Sequence, residues 1–144
     1  MARILLIDDN PLTLADMAAA LESAGHKVLL GGLGRRALHD AATLDYDCLV
    51  TDTVIKGASG WYLMRCARRA NPTAAIIATD SAAPRGNGAD LDWIAAFNAM
   101  NGADATIAKP LALDDFKALV ARLLADRVGF RPSATAAQDL PLAR

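Results

Sequence analysis

The sequence predicts an α/β fold, an open doubly wound sheet of five parallel strands with helices on both faces. Three observations carry that expectation. Five short apolar runs alternate with five segments whose apolar residues recur at helical spacing. The first run, Arg3 to Ile7, is nearly unbroken and too short for a typical helix, as a parallel strand covered on both faces would be. The chain's 144 residues, 53% of them hydrophobic, suit one core and one domain. Right-handed crossovers between such strands put binding sites at the carboxyl ends of the sheet.

Each element has a local reason. After the first strand, Asn10 can cap free amides and Pro11 suits the first helical position, where a missing N–H costs nothing. Leu14, Met17, Ala18, Leu21 and Ala24 follow helical spacing, and Gly25 stops that helix. A strand near Lys27 to Leu30 comes next, then a helix from about Gly34 to Leu44 and a strand from Asp47 to Thr51 that ends on Asp52. A loop to Gly60 leads into a helix to about Asn71, a strand near Ala74 to Ala78, a helix near Asp90 to Met100 and a strand near Ala105 to Ala108. The last helix begins near Leu113 and carries Leu113, Phe116, Leu119, Val120, Leu123 and Leu124 on one face. After about Arg131 the composition turns to Pro, Ser, Thr, Ala and Gln without periodicity, so one domain over 1–128 and a disordered tail over 129–144 are expected.

Composition narrows the function. A formal net charge of -1 gives no global field toward nucleic acid or an anionic membrane. No apolar run approaches a membrane span, and Met1 to Leu6 is too short for a signal peptide, so a cytoplasmic protein is expected. Cys48 and Cys66 lie in apolar segments without metal-ligand spacing and read as reduced, packed thiols. Arg65, Arg68 and Arg69 cluster on one helix, where the spacing of Leu63, Met64 and Ala67 puts them on the water side. His26 and His39 have no partner at ligand spacing, and Trp61 and Trp93 read as packing residues.

The informative polar groups stand at the carboxyl ends of the strands: Asp8 and Asp9 after the first, Asp52 ending the third, Lys109 after the fifth. Any one of them alone would be a helix cap or a solvated charge. Together, three carboxylates in one crevice repel each other unless a cation sits among them, and a hard divalent ion with oxygen ligands, Mg2+ before Ca2+, suits that set. A carboxylate nucleophile, a metal and a lysine are the parts of phosphoryl transfer.

These residues resemble a known family. Ile4-Leu-Leu-Ile-Asp-Asp-Asn, Tyr46-Asp-Cys-Leu-Val-Thr-Asp52 and Gly102-Ala-Asp-Ala-Thr-Ile-Ala-Lys-Pro110 are similar to the opening, the phosphoacceptor strand and the last strand of receiver domains of bacterial two-component response regulators. Gly34, Ala37, Leu38 and Gly60 also fall where that family has them, and the likeness spans about residues 3 to 127. The resemblance implies a flavodoxin-like (βα)5 receiver fold similar to that of the chemotaxis regulator. It also implies Asp52 as phosphoacceptor for a sensor histidine kinase or phosphotransfer protein. Mg2+ would be held by Asp9, Asp52 and the Val54 carbonyl, with Asp8 assisting through water; Lys109 would contact the phosphoryl group, and the Lys109–Pro110 peptide would be cis. The implied output is a phosphorylation-dependent contact with a downstream protein, with no direct nucleic-acid or membrane partner and no enzymatic role beyond self-phosphorylation and autodephosphorylation. A stand-alone adaptor or phosphorelay intermediate is expected.

Four departures bear on that expectation. Lys56 stands where the family usually has Pro. The fourth strand should end on a Thr or Ser that bonds the phosphoryl group, and Thr79, Asp80 and Ser81 remain alternatives for that place, Asp80 adding a fourth carboxylate. Thr106 replaces the aromatic residue whose swing the family uses as a report, and the segment Ser81 to Ala89 is longer than such loops usually are. This segment and the helix after it are the expected signalling surface, moved by Thr79 or Ser81. A degenerate receiver acting as a constitutive binding module is the alternative. A haloacid dehalogenase type of hydrolase would want a second Asp where Val54 stands.

Overall fold

The computed structural model describes residues 1–80 and 89–129. In chain order the elements are β1 (Arg3–Ile7), α1 (Pro11–Ser23), β2 (Lys27–Leu30), α2 (Arg35–Thr43), β3 (Cys48–Asp52), the two-residue strands β4 (Val54–Ile55) and β5 (Ala58–Ser59), α3 (Gly60–Ala70), β6 (Ala75–Asp80), α4 (Ala89–Met100), β7 (Ala105–Ala108) and α5 (Leu113–Gly129). The five longer strands form one parallel sheet in the order β2-β1-β3-β6-β7, which is the doubly wound arrangement expected from the sequence. The strand order reverses beside β1, so the carboxyl ends of β1 and β3 flank the crevice of the fold.

Alternation along each strand sorts the side chains into two cores. Leu5, Ile7, Leu49, Ile76 and Ala78 pack with Ala37 and Ala41 of α2 and Leu63, Met64 and Ala67 of α3. Ile4, Leu6, Cys48, Val50, Ala75 and Ile77 pack with Met17 and Leu21 of α1 and Phe116 and Val120 of α5. Each fully buried Leu, Ile or Phe contributes about 1.5–3 kcal/mol, and all residues of β3 and β6 are buried on one face or the other. At the amino end of the sheet, Arg127 of α5 donates to Asp47 Oδ1 (3.0 Å) and to the Thr73 carbonyl (2.6 Å), while Asp47 Oδ2 accepts from the Arg3 N–H (2.9 Å).

Local chemistry follows the expected signals. The Asn10 side chain accepts from the N–H groups of Leu12 and Thr13, Pro11 opens α1, and Gly25 turns the chain with φ 90°. Cys48 is buried and Cys66 partly so, both free. The Lys109–Pro110 peptide is cis.

Four expectations need correction or extension. The loop after Asp52 contains the hairpin β4–β5, too short to leave a periodic signal. The strand read as ending at Ala78 continues to Asp80, because Thr79 and Asp80 complete the ladder with Asp52, Ile107 and Ala108. Arg68 does not lie on the water side with Arg65 and Arg69: it donates to the carbonyls of Pro72, Ala74 and Gly102 and to Asp104, which ties α3 to the chain entering β6 and β7. Trp93 packs as expected, but at the surface: it is 63% exposed and stacks on Phe97 at 5.4 Å. The expected tail and the segment from Ser81 lie outside the described residues, apart from Ala89, which begins α4.

Candidate functional site

Residues 4 and 6, 48 and 50, 75 and 77, and 107 all face α1 and α5. Continuing that alternation by two places reaches Asp8, Asp52, Thr79 and Lys109, so one face of the sheet delivers these four positions to one edge. Asp52 ends β3 and is 4% exposed; its Oδ1 accepts from the Val54 N–H (3.2 Å) and its Oδ2 from Lys109 Nζ (2.8 Å). Asp8 is 5% exposed; its Oδ1 accepts from the Asn10 N–H (2.8 Å) and its Oδ2 from Lys109 Nζ (2.5 Å). Asp9 is exposed, and its Oδ2 accepts from the Lys56 N–H at 3.1 Å. Helix α3 comes up against this site through Gly60, where any Cβ would stand 2.3 Å from the Asp52 carbonyl oxygen.

Asp8, Asp9 and Asp52 each place a carboxylate oxygen within 4.8 Å of the others, so the three acids expected to converge do so. Burial alone would lower the Lys109 pKa, but the hydrogen bonds and charges of Asp52 and Asp8 outweigh it and hold the ammonium above its ordinary 10.5. One ammonium against three carboxylates leaves excess negative charge in a largely buried crevice. An all-oxygen donor set with that charge fits a hard divalent cation, and Mg2+ in particular, which is content with one or two carboxylates and keeps its remaining positions for water or phosphate.

The register places two of the three alternatives for the end of the fourth strand. Thr79 pairs directly with Asp52 and is fully buried, and its Oγ1 has no hydrogen-bond partner among the described residues. Asp80 is the last strand residue, on the opposite parity; its Oδ2 accepts from Thr53 Oγ1 (3.1 Å) and its carbonyl from the Lys109 N–H (2.9 Å). Ser81 lies outside the described residues. Val54 begins the hairpin, with its N–H on Asp52 and its side chain exposed. The Lys56 side chain is exposed, and its backbone N–H makes the Asp9 bond that no proline at this place could make.

On the other face of the sheet lies a second polar group that sequence reasoning missed. Asn98 of α4 is fully buried; its Oδ1 accepts from Trp61 Nε1 (2.7 Å) and its Nδ2 donates to Thr106 Oγ1 (3.0 Å). Phe97 meets Trp61 edge to face at 4.7 Å and Trp93 in a stack at 5.4 Å. Thr106, standing where an aromatic was expected, thus anchors α4 and α3 to β7. His26 is a structural acceptor, taking the Ala2 N–H on Nδ1.

Comparison with known proteins bears on this site. The response regulator receiver domain family matches residues 4–121. The transcriptional activator protein IrlR of Burkholderia pseudomallei is 32% identical over 123 residues, 84% of this chain and 48% of the relative. The transcriptional regulatory protein TcrA of Mycobacterium tuberculosis is 31% identical over 140 residues, 97% of this chain and 53% of the relative. The chain thus spans about half the length of these curated relatives. Among solved structures, a CheY-like response regulator receiver domain protein from Methanospirillum hungatei JF-1 superposes with TM-score 0.77 at 22% identity, covering 90% of this chain and 98% of that one. The receiver domain of the sensor histidine kinase PA1611 from Pseudomonas aeruginosa superposes with TM-score 0.71 at 25% identity, covering 86% and 98%; that domain has a magnesium ion coordinated in its active site cleft. Among the described residues no helix is long and apolar enough to cross a membrane.

Proposed function

The chain belongs to the response regulator receiver domain family, and from that premise we propose that Asp52 accepts a phosphoryl group from a sensor histidine kinase or a phosphotransfer protein. The observation that supports this reading best is the placement of Asp52: buried at the end of β3, beside Asp8 and Asp9, with its carboxylate on the Lys109 ammonium. A carboxylate oxygen of Asp52 forms the new O–P bond as the N–P bond of the donor phosphohistidine breaks, giving an acyl phosphate. Lys109, already 2.8 Å from Asp52 Oδ2, is placed to meet the charge on the transferred oxygens. Asp9, Asp52 and the Val54 carbonyl are the Mg2+ ligands of this reading, with Asp8 acting through water. The ion, when bound, neutralises phosphoryl charge. Attack of water on phosphorus breaks the O–P bond, releases inorganic phosphate and returns the free Asp52 carboxylate, and no other catalysis is assigned.

Thr79 is the hydroxyl we assign to the phosphoryl group. It is the register partner of Asp52, and a buried hydroxyl with no partner has a donor to give. Signalling then passes to a downstream protein through α4 and the segment before it, in a cytoplasmic setting without direct nucleic-acid or membrane contact. The expected stand-alone adaptor has no counterpart in IrlR or TcrA, of which this chain matches about half.

Labelling with acetyl phosphate in the presence of Mg2+ tests the assignment. Native protein should take up one phosphoryl group and Asp52→Asn none; equal labelling of both would sink it. Mg2+ binding without any labelling would instead favour a constitutive binding module.

A further inference from the structure

The hairpin β4–β5 pairs Val54 with Ser59 and Ile55 with Ala58, which leaves Lys56 and Gly57 as its two-residue turn. Gly57 has φ 80° and, among the described residues, no residue other than glycine has positive φ, the sign pattern of a type II turn with Lys56 in its second position. The hydrogen bond that closes such a turn joins its first and fourth residues, so the Lys56 N–H is free to serve elsewhere. It donates to Asp9 Oδ2 at 3.1 Å, while the Lys56 carbonyl accepts from the Gly34 N–H at 3.0 Å. Gly34 and Gly57 meet closely enough that a Cβ on Gly57 would stand 3.1 Å from the Gly34 Cα. The turn is therefore held from the entry to α2, and through its N–H it holds an acid of the crevice.

The three acids differ in what fixes them. Asp8 and Asp52 are buried and each has a backbone N–H and Lys109 as partners. Asp9 is exposed, and among the described residues the Lys56 N–H is the one hydrogen bond its carboxylate receives. We propose that the backbone N–H of Lys56 is the positioning group of the Mg2+ site, fixing the Asp9 carboxylate where its oxygen joins those of Asp8 and Asp52. Mg2+ demands near-ideal octahedral geometry, so a ligand left to wander among rotamers binds it less well. This rests on the reading of the acid cluster as a Mg2+ site.

Proline is welcome in the second position of a type II turn, so Lys56→Pro deletes the N–H while keeping the turn. Lys56→Ala keeps the N–H and deletes the side-chain charge. Calorimetric titration with MgCl2 should show affinity reduced about tenfold in Lys56→Pro, as for other groups that orient a metal ligand. Lys56→Ala should stay within about twofold of native, since an exposed charge is worth little. Asp9→Ala should not bind. Equal affinities for the proline and alanine variants, with Asp9→Ala still silent, overturn the positioning role alone; native affinity in Asp9→Ala overturns the site as well. A readout that needs neither metal nor the proline variant is amide exchange of Lys56 in metal-free protein. It should be protected in native protein and faster in Asp9→Ala, and equal exchange in the two overturns the proposal even if Lys56→Pro fails to fold.

Discussion

Two buried polar clusters lie on opposite faces of the same sheet. Toward α1 and α5, Asp8, Asp52 and Lys109 gather charged groups whose signs do not balance, with Asp9 at the rim. Toward α3 and α4, Trp61, Asn98 and Thr106 form a neutral chain in which the side-chain donors and acceptors meet at 2.7 and 3.0 Å. Charge left over in a low-dielectric crevice costs free energy that only a further ligand can recover, whereas a neutral, paired network is complete as it stands. The first cluster is built to take something up; the second holds α4 against β7 and α3.

The comparison breaks first at Lys109. Its removal leaves Asp8 and Asp52 buried and facing each other without a cation, a loss of about 3 kcal/mol or more. Denaturant unfolding of Lys109→Met in chelator should show that loss, and Mg2+ should recover much of it. In the neutral cluster, Asn98→Ala strands Trp61 Nε1 and Thr106 Oγ1, at a cost of about 2 kcal/mol. That cost should be the same with and without Mg2+, and a Mg2+-dependent cost would mean the two faces are coupled.

Alkaline pH sharpens the contrast more gently. Burial pushes the Cys48 thiol from 9.0 up to about 12 and the Tyr46 phenol from 10.0 up to about 12. The folded form keeps both protons, and the unfolded form releases them at their ordinary values, so unfolding sheds protons and stability falls as pH rises from about 9 toward 12. At pH 10 Cys48 alone should account for about 1 kcal/mol. The gap between unfolding midpoints at pH 8 and pH 10 should narrow in Cys48→Ala, leaving the smaller share of Tyr46. The Lys109 ion pairs, held by a raised lysine pKa, persist past that window's lower edge and should contribute none of the early decline.

The charged cluster was the legible one. Apolar runs that stop on Asp8, Asp52 and Lys109 mark strand ends, and strand ends of a parallel sheet share one edge. The neutral cluster left no trace, because Trp61, Asn98 and Thr106 come from three elements and their contact depends on how α4 docks. Arg68 reads like Arg65 and Arg69 in the sequence; only the carbonyls of Pro72, Ala74 and Gly102 around it set it apart. Thr79 and Asp80 ended a strand that looked two residues shorter, since polar residues break the apolar signal while the ladder to β3 and β7 continues. Thr53, which donates to Asp80, stands just before the hairpin that carries the Lys56 N–H, and that hairpin is too short for any period to reveal.

The most direct test of the claim that one cluster is open and the other closed is a set of thermal melts with and without MgCl2 on native protein, Asn98→Ala and Asp9→Ala. Binding to the folded state alone stabilises by about 2.7 kcal/mol when the ion stands at 100 times its Kd, a rise of roughly 10 °C in Tm. Native protein and Asn98→Ala should rise by the same amount from different baselines, and Asp9→Ala should not rise. An undiminished rise in Asp9→Ala would place the ion away from the acids, and a rise lost in Asn98→Ala alone would show that the neutral face, not the charged one, governs uptake.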